Sequence, residues 1–220
     1  MKTFVLRMFN LLAAILLYAI GVVVTIQANV GYAPWDVFHA GLSKTIGISF
    51  GVASIVAGVV IVAFVAVCGE KIGIGTIISM TVTGIFIDLI FLADVIPLAP
   101  SMAIGVIMLV AGLLIVSLAT YFYIKSAFGA GPRDNLMVVL KRKTKLPVGV
   151  CRSIVELTVT LAGWRLGGMV GIGTVISIVA VGFCIQMVFM LFRFNPAEVK
   201  HETLKQTYDT LVAAVRGKSS

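Results

Sequence analysis

The most constraining feature of the chain is that its two halves say the same thing in constant register. "GYAPWD" at 31–36 and "GAGPRD" at 129–134 place Pro34 and Pro132 98 positions apart. The same offset joins Asp36 to Asp134, Leu42 to Leu140, Lys44 to Arg142, Gly51 to Gly149 and Gly69 to Gly167. It also joins "GIGTIIS" at 73–79 to "GIGTVIS" at 171–177, and Gly84 to Gly182. Apolar residues match by chance in any hydrophobic chain, but Pro, Asp and G-I-G-T do not repeat gaplessly by chance. We read an internal duplication.

The medium follows from composition. Of 220 residues, 60% are hydrophobic and 12% charged, and the apolar runs are too long and continuous for a water-soluble core. A hydrocarbon layer needs about 20 apolar residues per helix. Six stretches qualify: Val5 to Ala28, Phe50 to Cys68, Ile72 to Ala93, Met102 to Ile124, Pro147 to Leu166, and Gly171 to Phe192. The expected fold is therefore an all-α membrane protein with six transmembrane helices. The first half (1–98) and the second (99–194) hold three each, and a tail follows (195–220). Three is odd, so the second copy enters the lipid from the opposite side, as in the inverted-topology repeats of many secondary transporters. A duplicated scaffold without transport would leave the same trace.

Charge placement agrees with this topology. The net charge of +8 comes from Lys2 and Arg7 at the start, a cluster from Lys125 through Arg133 to Lys145, and Arg193, Lys200, Lys205, Arg216 and Lys218 near the end. With both termini cytoplasmic, all of these fall on one side, and the Lys- and Arg-free connection from Ala93 to Ser101 falls outside. A nucleic-acid surface is a poor reading, because the basic residues flank apolar spans without interleaved aromatics. The first span resembles a signal sequence in its basic start, but it is long and no A-x-A-like site follows, so it is expected to be retained. Cys68, Cys151 and Cys184 stand singly with no metal or disulfide spacing.

In both copies G-x-x-P-x-D follows the first span. The glycines permit a sharp turn, and the proline suits the first position of a new helix with the aspartate in its first turn. These helices, Pro34 to about Lys44 and Pro132 to about Arg142, reach on the order of 15 Å. They are either re-entrant half-helices or segments lying at the interface. Asp36 and Asp134 fit structural caps as well as cavity ligands, and Trp35 and Arg133, which correspond by the repeat, could each be interfacial. The G-I-G-T runs open the third span of each half. Their free amides, with Thr76 or Thr174, could hold an anion; equally, the glycines could serve close packing.

Ionisable residues inside spans mark interiors and cavities. Arg152 and Glu156, four apart on one helical face, can pair, and their counterparts Ser54 and Gly58 are uncharged. Asp88, whose counterpart is Gln186, is a candidate proton or cation site. The candidate substrate-binding set is thus Arg152, Glu156, Asp88, Thr76, Thr174, Asp36, Asp134 and Arg133. An Arg–Glu pair that only locks its helix to a neighbour is the plainer alternative. His39 and His201 cannot form a metal site alone, and His39 reads as an interfacial polar residue. No metal, cofactor, nucleophile triad or phosphate loop is indicated, so an enzyme is not expected. In the tail, Asn195, Pro196 and Glu198 fit a helix start, and Leu204, Tyr208, Leu211 and Val215 form one apolar stripe: an amphipathic cytoplasmic helix.

The paired P-W-D and G-P-R-D motifs, the twin G-I-G-T runs, and Arg152 with Glu156 after the basic connection resemble the YczE/YyaS/YitT-like family of bacterial integral membrane proteins over roughly residues 10 to 192. That resemblance implies a bacterial plasma (inner) membrane and carries location rather than chemistry. The expected function is a small-solute secondary transporter or permease with a midplane site, leaning toward a carboxylate-bearing solute. The alternative is a non-transporting accessory protein that docks a partner on its basic connection and tail. Expected partners are the lipid bilayer and a small solute but no nucleic acid; a homo-oligomer is compatible with the pattern.

Overall fold

The computed structural model describes residues 2–70, 72–199 and 201–207. Among these, the chain is all helical: α1 (Lys2–Gln27), α2 (Pro34–Ile46), α3 (Phe50–Val67), α4 (Ile74–Ala93), α5 (Met102–Ser126), α6 (Pro132–Thr144), α7 (Val148–Arg165) and α8 (Ile172–Leu191), then a 3-10 turn at Pro196–Glu198. The bounds of α2, α3 and α4 shifted by 98 are those of α6, α7 and α8. The sequence repeat is thus also a repeat of helix starts and stops.

Local chemistry sets those boundaries. Pro34 and Pro132 each open a helix at its first turn, where the missing amide costs nothing. Ser49 and Ser101 cap α3 and α5 by accepting from the amides of Val52 and Ile104. The α2 helix ends on Gly47 in the left-handed conformation, with its amide donating back to Ser43 O. The short helices run two residues beyond the expected Lys44 and Arg142, because a helix stops where its cap is and not where its apolar run ends.

Among the described residues, five helices (α1, α3, α4, α5 and α8) are long and apolar enough to cross a membrane; the count becomes six if α6 and α7, which meet at a 116° bend, form one broken span. The outward surface suits lipid. Phe9, Val60, Leu89, Ile107, Val175, Val179 and Phe183 all stand exposed, an arrangement that water penalises and hydrocarbon does not.

The halves are locked by reciprocal contacts. The loop after α1 lies against the start of α8, with Gly173 N–H donating to Val30 O at 2.7 Å; the loop after α5 lies against the start of α4, with Gly75 N–H donating to Phe128 O at 2.9 Å. Each donor and each acceptor is the 98-residue counterpart of the other. Gly31 and Gly129, at φ +113° and +130°, make these approaches feasible: a Cβ would fall 2.6 Å from Gly171 N in one case and 2.9 Å from the Gly73 Cα in the other. The α1–α5 seam uses small residues in the same way, Gly21 lying against Val116 and Gly112 against Thr25. Between membrane helices, such close backbone approach supplies the van der Waals contact that hydrophobicity cannot.

At the far ends of the short helices the relation persists. Arg142 of α6 pairs with Glu70 at 2.6 Å and donates to Cys68 O, past the end of α3. Its counterpart Lys44, on α2, lies alongside Gly167 past the end of α7. The tail closes one end of the bundle. Glu202 pairs with Arg7, and its amide donates to Ala127 O at 2.9 Å, while Leu204 N–H donates to Ile72 O at 3.0 Å. Burial pushes the His201 imidazole below its usual pKa, against the opposing pull of the Asp134 carboxylate. Of the expected amphipathic helix, Leu204 begins a short helical stretch through 207; Tyr208, Leu211 and Val215 lie outside the described residues.

Candidate functional site

A cavity of about 290 Å³ opens between the halves. Its walls come from α1, α4, α5 and α8, from α3 and α7, and from the first two turns of both short helices. Fifteen of the thirty-two lining residues belong to the second half, and each has its counterpart, 98 positions earlier, in the lining too. Asp36 faces Asp134 in this correspondence, Trp35 faces Arg133, Ser79 faces Ser177, and Ser54 and Gly58 face Arg152 and Glu156. The cavity therefore sits on the relation that exchanges the halves.

The two copies are chemically unlike within that shared frame. Arg152 Nε donates to Glu156 Oε1 at 2.8 Å, the pair that their four-residue spacing forecast, and both line the cavity. Arg133 stacks over the Trp35 ring, its guanidinium carbon 4.8 Å from the centroid. That contact joins two repeat counterparts, and it replaces the interfacial placement expected for them. Asp36 is buried, with Oδ1 3.7 Å from His39 Nδ1, whereas Asp134, which also lines the cavity, has its carboxyl enclosed against the Gly131 amide and in the field of the Arg152 and Arg133 guanidiniums. Both aspartates lie in the first turn of their helices, as expected, one turn in from the N-caps Ala33 and Gly131, and Asp134 reaches back to the Gly131 amide.

Three sequence candidates stand elsewhere. Asp88 does not line the cavity; its carboxylate accepts from the Ser49 hydroxyl and from Gly51 N–H at 2.7 Å, tying α4 to the start of α3. Its chemistry here is that of a fixed acceptor for a helix start and not of a transit site. Thr76 and Thr174 are buried at the crossed docking points. The Thr76 hydroxyl donates to Ala130 O at 2.6 Å, and Thr174 Oγ1 accepts from Gly171 N–H at 3.1 Å. The Gly75 and Gly173 amides beside them are spent on carbonyls of the other half, so the G-I-G-T starts serve close packing between the halves.

Replacing Asp88 by Ala removes the acceptor for two donors at once. The expected cost is about 1–3 kcal/mol, read as a lower melting temperature in detergent, with ligand affinity at the cavity unchanged.

Several cavity residues carried no sequence signal of their own. His39, read as interfacial, is buried at 2% exposure, and its Nδ1 has no hydrogen-bond partner. Tyr18 and Tyr123 line the cavity from α1 and α5. Ser79 Oγ donates to Thr76 O at 3.0 Å and lies 3.4 Å from the Tyr123 hydroxyl. Its counterpart Ser177 is 1% exposed and has no partner. The reason is visible in the repeat: Tyr123 corresponds to Thr25, whose hydroxyl donates within its own helix to Val22 O. The signal that could have found the two serines is their position, closing the twin G-I-G-T-x-I-S runs one helical turn beyond the threonines.

A multi-span helical membrane protein with a largely apolar cavity between corresponding halves, carrying a few charged side chains on its walls, is the class this geometry defines. Residues 5–190 match the family described as "Family of unknown function (DUF6198)", and the chain belongs to it. It is 32% identical over 184 residues to the "Uncharacterized membrane protein YczE" of Bacillus subtilis (strain 168), covering 83% of this chain and 85% of that one. It is 30% identical over 178 residues to an "Uncharacterized protein" of Haemophilus influenzae, covering 80% of each. To the "Uncharacterized protein YyaS" of Bacillus subtilis it is 30% identical over 179 residues, covering 80% of this chain and 88% of that one. These relatives agree with the resemblance read from the motifs. No solved structure matches the chain.

Proposed function

We propose that the protein is a small-solute secondary transporter of the bacterial inner membrane, built as two inverted three-span repeats around a midplane site, with both termini cytoplasmic. The observation that carries this reading is the pairing of the cavity walls at separation 98. A site on the axis that exchanges inverted halves is reached equivalently from either side, as alternating access requires. In this reading α2 and α6 are re-entrant, since their first turns line the cavity and α2 buries Pro34, Asp36, Val37, His39 and Gly41 against protein.

Unequal seams add support. Gly51 on α3 and Gly84 on α4 are in backbone contact, a Cβ on the first falling 2.0 Å from Gly84 O, but a Cβ on Gly149 or Gly182, their counterparts on α7 and α8, would meet nothing within 4 Å. A transporter at rest in one access state has one such seam shut and its mirror open.

Two measurements test the proposal. Single cysteines at Ile46 and Thr144, exposed counterparts at the far ends of α2 and α6 and away from the cavity, in a background without native cysteines, are expected to react with impermeant thiol reagents from opposite sides of the bilayer; labelling from one side refutes the inverted arrangement. Gradient-driven uptake into proteoliposomes is expected for the wild type. No flux across a broad solute panel, with a stoichiometric partner retained on purification, would favour the accessory role instead.

A further inference from the structure

We infer that the cavity binds a zwitterion: a compact solute carrying a carboxylate and an ammonium group, of the amino-acid or betaine type. The inference rests on the transport reading only for what happens after binding, because it concerns occupancy of the cavity itself.

The argument is one of charge left over. Five side chains of fixed charge line the cavity: Arg133, Arg152, Asp36, Asp134 and Glu156. Arg152 and Glu156 satisfy one another at 2.8 Å. Asp36 lies 3.7 Å from His39 Nδ1, beyond a hydrogen bond, and at 6% exposure it is too enclosed to receive a solute's cation. Arg133 and Asp134 remain. They are successive residues of the first turn of α6, opposite in sign, and among the described residues neither makes an ion pair within 4 Å: the Arg133 guanidinium lies over the Trp35 ring, and the Asp134 carboxyl is hydrogen-bonded to the Gly131 amide, with Arg152 and Arg133 acting on it only through space.

Stacking covers the face of a guanidinium and leaves its N–H edge free, and that edge is the geometry that receives a carboxylate through two parallel hydrogen bonds. A simple anion would use this edge and set a second negative charge beside the Asp134 carboxylate, whose one hydrogen bond is to the Gly131 amide. A simple cation would do the converse. A solute bearing both groups answers both, with the ammonium on Asp134 and within reach of the indole face, which favours cations.

Independent evidence of a ligand comes from two buried polar atoms on the same walls, Ser177 Oγ and His39 Nδ1, neither of which has a partner. Buried polar atoms are nearly always satisfied, so these are acceptors or donors held for something that enters. A volume of about 290 Å³ falls at the small end of ligand cavities, which run from roughly 300 to 1,000 Å³, and suits a monomeric solute over a peptide or nucleotide.

The test is equilibrium binding by the purified full chain in detergent, without any gradient. The panel is the standard amino acids, β-alanine, γ-aminobutyrate and glycine betaine, each beside its decarboxylated amine or its deaminated acid. Binding is read by thermal shift and by Trp35 emission in a Trp164→Phe background, Trp164 being the other of the two tryptophans. At least one zwitterion is expected to bind, with the matching amine and acid at least about tenfold weaker. Asp134→Asn is expected to raise the relative affinity of the acid, and Arg133→Gln that of the amine. An exchange of preference cannot come from simple misfolding, and Arg133→Lys, which keeps the charge, should retain part of the binding. Equal binding of amine, acid and zwitterion, an unaltered preference in both variants, or no binding by any zwitterion in the panel would overturn the inference. Zwitterion binding with no uptake in vesicles would instead sink the transport reading alone, and uptake of a singly charged solute without zwitterion binding would sink this inference alone.

Discussion

Gly51→Ala is expected to destabilise the protein by roughly 2–3 kcal/mol, while Gly149→Ala at the corresponding position is expected to be neutral or stabilising by up to about 1 kcal/mol. The same substitution has opposite signs because the two helix pairs are packed differently. A Cβ on Gly51 would lie 2.0 Å from Gly84 O and 2.6 Å from the Asp88 carboxylate carbon, so backbone must move. At Gly149 nothing lies within 4 Å, and alanine simply improves helix propensity. Thermal unfolding of the two variants in one detergent checks the contrast.

The second half of this prediction concerns motion. If α7 and α8 must close as α3 and α4 have closed here, then a branched side chain at 149 or 182 obstructs that closure while leaving the described state intact. Gly149→Val and Gly182→Val are therefore expected to keep wild-type ligand affinity and melting temperature within about 1 kcal/mol, because they touch nothing, yet to lower uptake by at least about tenfold. Uptake equal to wild type would show that the open seam is a fixed feature of the fold and not one end of a cycle.

How much of this could be read in the sequence depended on what kind of physics wrote each feature. Helix placement was legible because long apolar runs and the two prolines act locally. The correspondence of the halves was legible because Pro and Gly at fixed separation leave a mark that hydrophobic drift does not erase. Asp88 was misleading. A carboxylate within an apolar stretch reads as functional, and only the three-dimensional arrival of Ser49 and Gly51 beside it reveals a structural acceptor. Around Thr76 and Thr174 the sequence could not show that one amide of each run, Gly75 or Gly173, is taken by a carbonyl of the opposite half, a long-range event without local trace. The stacking of Arg133 on Trp35 was half legible, since the offset aligned the two residues but could not say that counterparts meet.

The plainest rival to a functional Arg152–Glu156 pair is a clasp that only steadies α7, and a double-variant series separates the two. Both readings expect Arg152→Ala to hurt, because it strands Glu156, whose side chain is 14% exposed, without its partner at 2.8 Å. Removing one member of such a pair costs about 3–5 kcal/mol when burial is complete and less when, as here, the arginine is 47% exposed. The readings part at Arg152→Ala combined with Glu156→Gln. With both charges gone no stranded carboxylate remains, so stability is expected to return to within about 1 kcal/mol of wild type, since replacing an ion pair as a unit is often nearly neutral. A clasp would then recover its function along with its fold. If instead the pair lines a solute path, uptake stays at least about tenfold down in the double variant although the protein melts normally, and the reversed pair, Arg152→Glu with Glu156→Arg, does not rescue it, because charges that serve a solute are needed at particular places along α7 and not merely in balance.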